Sequence, residues 1–341
     1  VLSGCHFILG PNVNAFEHEA RDYLGSNYAV TCASGTDALH LALLANGIGP
    51  GDEVITTAFT FIATAEAIAY VGATPVFVDI CPDTFNIDLS LIEQAITPAT
   101  KAILPVHLFG QPVDMIQLKA LCEEKNLLLI EDCAQSFGSS VQGKMTGSFG
   151  QCGCFSFFPS KNLGCYGDGG MVTTDSEQIA EKLNMLRNHG SKERYHHDLI
   201  GLNSRLDEIQ AVVLRAKLNH IDDYNQKRYQ VAQQYSKHLD KTEVTTPHED
   251  GVGRHVYHQY TTLMPRREKV MEHLQQQGIS CAIYYPIPLH QQQVFKEAPA
   301  NALPVTERVA SQCLSLPIYP ELESHQIERI VNAILEALDE S

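Results

Sequence analysis

Positive charge is scarce in this sequence. Lys+Arg number 24 against Asp+Glu 40, a formal net charge of −16 over 341 residues. A nucleic-acid partner needs a basic face, so that class is excluded. The same imbalance repels anionic ligands at long range, and any phosphate must be held by local donors. Long apolar runs are missing too. No stretch approaches a membrane span and no signal peptide is recognisable, so no membrane partner is expected. The ten cysteines include no CxxC pair. Cys152 and Cys154 stand too close for a zinc-knuckle half-site, and no metal site is expected. Cys122 and Cys313 lie in apolar stretches and read as small core residues. A large chain with such cysteine usage belongs in a reducing cytoplasm. Internal repeats and low-complexity tracts are absent. The chain opens at Val1 in what reads as the end of a helix, so residues are expected to precede it.

What is present is an ordinary globular balance, 44% hydrophobic and 19% charged, long enough for a large α/β domain and a smaller one. Strands are read at Tyr28–Ala33, Glu53–Thr56, Thr74–Asp79, Lys101–His107 and Leu127–Glu131. Helices are read between them at Asp37–Asn46, Ala63–Val71, Leu89–Ile96 and Val113–Glu124. The strands are nearly continuous apolar runs, as when both faces of a parallel sheet are covered. After Gly190 the texture changes. Helical periodicity over Leu206–Leu239 predicts one long helix bridging two domains, 1–215 and 216–341. Beyond it come a strand (Val256–Met264), a helix (Arg267–Gln277), a strand (Ile279–Tyr285) and an amphipathic helix (His325–Leu338), a smaller α+β unit.

Ligands of a doubly wound sheet bind at the carboxyl ends of its strands. Four segments fall there. Ser34-Gly35-Thr36 opens a helix, and its N–H groups and hydroxyls form an anion site, although short turns of this composition are common. Asp132 follows Glu131 at a strand end, with Gln135 beyond; such an acid suits a metal, a ribose or a heterocyclic nitrogen, or simply caps a helix. Lys161, in Ser156–Gly164, has an apolar, aromatic and glycine-rich surround that lowers a lysine pKa and makes a nucleophile, unless it is a surface lysine beside a turn. The run Gly167-Asp168-Gly169-Gly170 lets the backbone pass close to something bulky. In Phe59-Thr60-Phe61 a ring stacks on a flat ligand or joins the core. Together these name one cofactor. Pyridoxal 5'-phosphate (PLP) needs a lysine for its Schiff base, an acid beside its pyridine nitrogen, a phosphate cup and a stacking ring.

The chain resembles the DegT/DnrJ/EryC1/StrS family of PLP-dependent sugar-nucleotide aminotransferases. The resemblance runs over Ile8-Leu9-Gly10-Pro11, Ser34–Leu39, Ile130–Gln135, Ser156–Gly164, Asn203–Asp207 and Tyr285-Pro286-Ile287-Pro288-Leu289-His290, essentially the whole chain. It implies PLP fold type I, aspartate-aminotransferase-like, with a large mainly parallel sheet domain and a smaller C-terminal α+β domain. By the same resemblance Lys161 carries the cofactor, Asp132 pairs with the pyridine nitrogen, Gln135 lies by the ring hydroxyl and Phe61 covers the ring. Gly35, Thr36 and Ser156 hold the phosphate, and Asn203 reaches the phosphate of a partner subunit in a homodimer with shared active sites. Many relatives have His where this chain has Tyr284.

Within the family, the stretches Gly164–Gly170, Arg187–Gly190, Arg194–His197 and Gly201–Leu206 look most like enzymes acting on UDP-2-acetamido-2-deoxy-3-keto-glucuronate in bacterial surface-polysaccharide (lipopolysaccharide) biosynthesis. Substrates are then an amino-acid donor, L-glutamate, and a nucleotide sugar. A uronate carboxylate needs cations, which Arg194, His196, His197 and Arg205 supply, with Tyr284, Tyr285 and His290 at the same mouth. Two alternatives remain: a 3- or 4-keto-6-deoxy sugar nucleotide as acceptor, and a non-catalytic regulator that keeps the fold. A dehydratase of this fold replaces the lysine with His, which Lys161 argues against.

Overall fold

The computed structural model describes residues 1–193 and 195–339. In chain order, α1 (Pro11–Leu24) leads to β1 (Tyr28–Cys32), α2 (Gly35–Ala45), β2 (Glu53–Thr57), α3 (Ala63–Tyr70), β3 (Thr74–Val78), β4 (Thr100–Ile103), α4 (Met115–Lys125) and β5 (Leu128–Asp132). A small hairpin, β6 (Ser140–Val141) and β7 (Lys144–Met145), precedes β8 (Cys152–Ser156), β9 (Gly170–Thr174) and α5 (Glu177–Leu186). A second hairpin follows, β10 (Ser191–Glu193) and β11 (His196–His197). Then come α6 (Glu208–Leu218), α7 (Ile221–Leu239), β12 (Gly253–Arg254), β13 (Tyr260–Leu263), α8 (Arg267–Gln276), α9 (Pro304–Gln312), β14 (Cys313–Leu316) and α10 (Ser324–Asp339).

The main sheet has seven strands in the order β1-β9-β8-β5-β4-β2-β3. Neighbours from β8 to β3 are parallel, and β9 alone runs the other way, antiparallel to both β8 and β1. The α/β architecture with a mainly parallel sheet is thus as expected. Four of the five residues in each of β1, β2, β3 and β5 are buried, the pattern of strands covered on both faces. Because their direction is shared, the ends of β1, β2, β5 and β8 open on one edge, where β9 begins.

Several expected elements differ. The helix over Leu206–Leu239 is two helices, broken at Asn219 and His220. Asn219 turns its amide back to the Arg215 carbonyl at 3.1 Å, and His220 leaves helical geometry at φ −118, ψ 2, so the backbone ladder is not extended. Leu218 and Ile221 pack with Phe16, Phe157 and Leu214, whereas Val231, Tyr235 and Leu239 pack with the C-terminal elements. It is therefore α7 that passes from one core to the other. Leu89–Ile96 forms two short 3-10 turns, Leu89–Leu91 and Glu93–Ala95; Asp88 caps the first through Ser90 N–H, and the chain is extended again by Ile96. The strand at Val256–Met264 shortens to Tyr260–Leu263, where its partner β14 begins and ends. Ile279–Tyr285 contributes a single bridge, Ala282 to Ser315, on the edge of β14 away from β13.

The last helix is amphipathic as read. Ile327, Ile330, Val331 and Ile334 follow helical spacing on one buried face against α7 and α8. Each such side chain contributes about 1.5–3 kcal/mol by leaving water. Among the described residues no helix is long and apolar enough to cross a membrane.

Candidate active site

A cavity of about 550 Å³ opens at the shared strand edge, a size that suits a small-molecule ligand. Gly35, Thr36, Phe61, Asp132, Gln135, Ser156 and Lys161 all line it, and Tyr284 and Tyr285 close it from the C-terminal unit.

The anion cradle is built locally. Ser34 caps α2, its hydroxyl accepting the Asp37 N–H at 3.1 Å, so the free N–H groups of the first turn face the cavity edge. Gly35 is obligatory there, since a Cβ would stand 2.5 Å from the Ser156 Cβ. The close approach expected at Gly167–Gly170 is a contact within the protein: a Cβ on Gly170 would lie 2.1 Å from the Ser34 carbonyl oxygen. These two glycines bring the ends of β1, β8 and β9 together under the cradle.

The floor is fixed by hydrogen bonds. Asp132 is buried, and its carboxylate accepts from Thr64 Oγ1 at 2.8 Å and the Ala134 N–H at 3.1 Å. Burial raises its pKa, opposed by those two bonds and by the charge of Lys161. Gln135 accepts the Phe109 N–H at 2.6 Å and donates to the Tyr285 hydroxyl at 3.1 Å, tying the two units together. Lys161 is half-buried. Burial pushes its ammonium down to about 8, against the pull of Asp132. Phe61 is 54% exposed, an apolar face presented to the cavity, with Tyr285 6.1 Å away between ring centres.

Beneath Asp132 lies a closed polar network. Glu131 accepts the N–H groups of Gly147, Phe149 and Gly150 and pairs with His107 Nε2 at 3.2 Å, while His107 Nδ1 accepts the Val113 N–H. His107, Glu131 and Cys133 cluster within 4.8 Å as metal ligands would. The lone pairs of the first two are already engaged, so the cluster acts as a brace for the end of β5.

Other expected site residues lie elsewhere in this subunit. Asn203 is exposed and its side-chain oxygen accepts from Arg205. Arg205 also donates to Asn188 at 2.9 Å. His196 and His197 are exposed on β11, His197 pairing with the His189 carbonyl at 2.9 Å. His290 sits in a 3-10 turn, its Nε2 3.1 Å from Glu307 of α9, and does not join Tyr284 and Tyr285 at the cavity. Arg194 lies outside the described residues. Conversely, Thr64, Asp168, His258 and Gln259 line the cavity without having been read as site residues. Thr64 follows Phe61 at a helical spacing and was findable; His258 comes from a distant part of the chain.

A family model described as the DegT/DnrJ/EryC1/StrS aminotransferase family matches residues 1–335. This chain belongs to that family. Among its relatives is the UDP-N-acetyl-3-dehydro-alpha-D-glucosamine 3-aminotransferase of Acidithiobacillus ferrooxidans, 51% identical across 99% of this chain and 92% of that one. The UDP-2-acetamido-2-deoxy-3-oxo-D-glucuronate aminotransferase of Pseudomonas aeruginosa is 44% identical, across 98% of this chain and 93% of that one. The crystal structure of DesV from S. venezuelae superposes with a TM-score of 0.97 at 43% identity, covering 100% of this chain and 92% of that one. As a DegT-type aminotransferase the protein uses PLP. The cavity fits such a group: it offers an anion cradle, a buried carboxylate, an amine of lowered pKa and an exposed aromatic face.

Proposed function

We propose that this aminotransferase moves an amino group from L-glutamate to the 3-keto group of a UDP-linked 2-acetamido-2-deoxy sugar in bacterial surface-polysaccharide biosynthesis. The acceptor class is supported by the two relatives above, whose names share the uridine diphosphate, the acetamido group and the oxidised C3. They differ at C6, a carboxylate in one and none in the other; identity is higher to the glucosamine enzyme, and the basic group Arg194, His196, His197 and Arg205 is what favours the uronate.

The observation that carries the site assignment is that Lys161, Asp132 and Ser34-Gly35-Thr36 line one cavity at the shared strand edge. PLP, when bound, supplies an aldehyde that takes up the amino group and a ring that spreads the electrons released at the donor's α-carbon. Gly35, Thr36 and Ser156 would hold its phosphate, with Gln135 toward its ring hydroxyl and Phe61 toward its face. Asp132 would keep a proton on the ring nitrogen. Lys161 would anchor the cofactor, and its amine is placed to act as the base and then the acid that moves a proton at the donor's α-carbon. An amine of pKa about 8 suits both directions near neutral pH. Tyr284 and Tyr285 close the cavity over the sugar.

The unit that does this is proposed to be a cytoplasmic homodimer, with domains over 1–215 and 216–341. The exposure of Asn203, His196 and His197 and the partial exposure of Arg205 support a role across the two-fold axis, Asn203 toward the partner's phosphate and the others, with Arg194, toward the acceptor. His290 is kept as a more distant support of the mouth. The test is the glutamate half-reaction, followed by a panel of keto sugar nucleotides offered to the aminated enzyme: the 3-keto uronate, the 3-keto glucosamine, and 3- and 4-keto-6-deoxy sugars. Amination of either 2-acetamido-3-keto sugar at C3 ahead of the 6-deoxy sugars is the expected result. A preference for a 6-deoxy sugar refutes the acceptor assignment, and absence of the half-reaction favours a regulator.

A further inference from the structure

His258 is a buried imidazole on the cavity wall that the mechanism above leaves without a task. Its proton is fixed by its neighbours. Asn162, the residue after Lys161, donates its amide N–H₂ to the Asn225 side-chain oxygen at 2.7 Å and to the Val256 carbonyl at 2.9 Å. A backbone carbonyl can only accept, so this orientation of the amide is set and Asn162 Oδ1 faces His258 Nδ1 at 3.3 Å. Nδ1 must therefore carry the proton, and Nε2, to which no donor is bonded among the described residues, is left as an acceptor on a residue that lines the cavity. The backbone is held as well: Arg228 donates to the carbonyls of Tyr257, His258 and Ile318. The charges that bear on the ring are Lys161 from the loop after β8 and Arg228 from α7, both positive. Together with burial they keep the imidazole neutral, while Asp132 bears on Lys161 from β5.

We infer that His258 is a positioning residue for Lys161, a neutral imidazole on the wall of the cavity they both line, whose Nε2, not bonded to the lysine in this conformation, accepts a hydrogen bond from the amine as it swings across the cavity. This deepens the assignment of Lys161 made above and rests on it. The amine has a long flexible stem, and proton transfer at carbon is sensitive to aim. The Asn162 link couples the aim to the residue adjoining the lysine. Asn225 continues it to the Phe137 carbonyl at 3.0 Å, so the acceptor rests on a buried chain of amides.

Two substitutions separate this role from a purely structural one. His258→Gln can keep an oxygen near the Nε2 position and lose the bond to Asn162. His258→Asn does the reverse, keeping a donor near Nδ1 and offering nothing to the cavity. The expected result is that His258→Asn slows the single-turnover glutamate half-reaction by about tenfold with little change in KM, whereas His258→Gln stays within about threefold. In the cofactor-free protein, the pH midpoint of Lys161 labelling by an amine reagent moves down in His258→Asn and not in His258→Gln, because the lost bond favoured the charged amine. The inference is overturned if the Asn variant is the better of the two, if both behave alike, or if neither moves the midpoint. Should a variant fail to fold, nitrogen-15 spectra of histidine-labelled wild-type protein still decide the tautomer. A resonance for His258 with the proton on Nε2 refutes the inference. The lysine assignment itself is tested separately by cofactor mapping, so the two can fail independently.

Discussion

The floor of the cavity and the hairpin of β10 and β11 use similar residues, carboxylates, amides and cations, but hold them differently. Asp132 and Gln135 each have both ends of the side chain tied, to Thr64 and Ala134 in one case and to Phe109 and Tyr285 in the other. They sit at or just beyond the end of β5, braced by Glu131 and three backbone amides. His196 and His197 stand exposed on a two-residue strand. A preorganised floor suits a cofactor that is the same in every turnover. An exposed hairpin suits a surface that meets a second subunit or a sugar. Substitutions in the first region should therefore abolish chemistry, and those in the second should shift preference.

The largest effect falls on Lys161. Lys161→Ala removes both anchor and proton carrier, and turnover should drop by roughly 10³-fold or more, with secondary structure retained by circular dichroism. Near-normal turnover would place the chemistry elsewhere. Next is Asp132→Asn, expected to keep cofactor bound while slowing the glutamate half-reaction by about 10²-fold, since an amide holds no ring proton. A rate close to wild type would make Asp132 a structural cap. The hairpin side of the comparison is sharpened by Arg194→Ala, whose expected cost is about tenfold in apparent affinity for the uronate and less than threefold for the 3-keto glucosamine. Equal effects on both acceptors would remove the carboxylate reading.

The smallest effect is thermodynamic. With a folded-state pKa near 8 and an ordinary value of 10.5, Lys161 binds fewer protons folded than unfolded over that interval. Stability of the cofactor-free protein should thus rise as pH climbs from about 8 toward 10.5 and be lowered throughout the range below. Lys161→Met relieves the buried charge, so at pH 7 the cofactor-free variant should melt a few degrees higher, on the order of 2–4 °C, with the gap closing toward pH 10.5. A gap that widens with pH would contradict the sign of the shift.

The same contrast governs what the sequence discloses. Ser34-Gly35-Thr36, Asp132, Gln135 and Lys161 are short contiguous signals at strand ends, and strand ends are legible because apolar runs are. Thr64 and His258 act through partners 68 and 96 residues away, Asp132 and Asn162, and no local pattern encodes such pairings. The break at Asn219 and His220 was hidden because apolar periodicity continues through it; only the side-chain bond of Asn219 to Arg215 marks it. In the C-terminal unit the limits of β13 are set by the length of β14, a partner 50 to 56 residues off.

One measurement bears on the floor most directly. Borohydride should bleach the visible band of the purified yellow protein and fix the cofactor covalently, and peptide mapping should then find it on a single lysine. The expected site is Lys161, in the segment Ser156–Gly164. Recovery of the reduced cofactor on any other lysine would contradict the assignment, whatever the variants show.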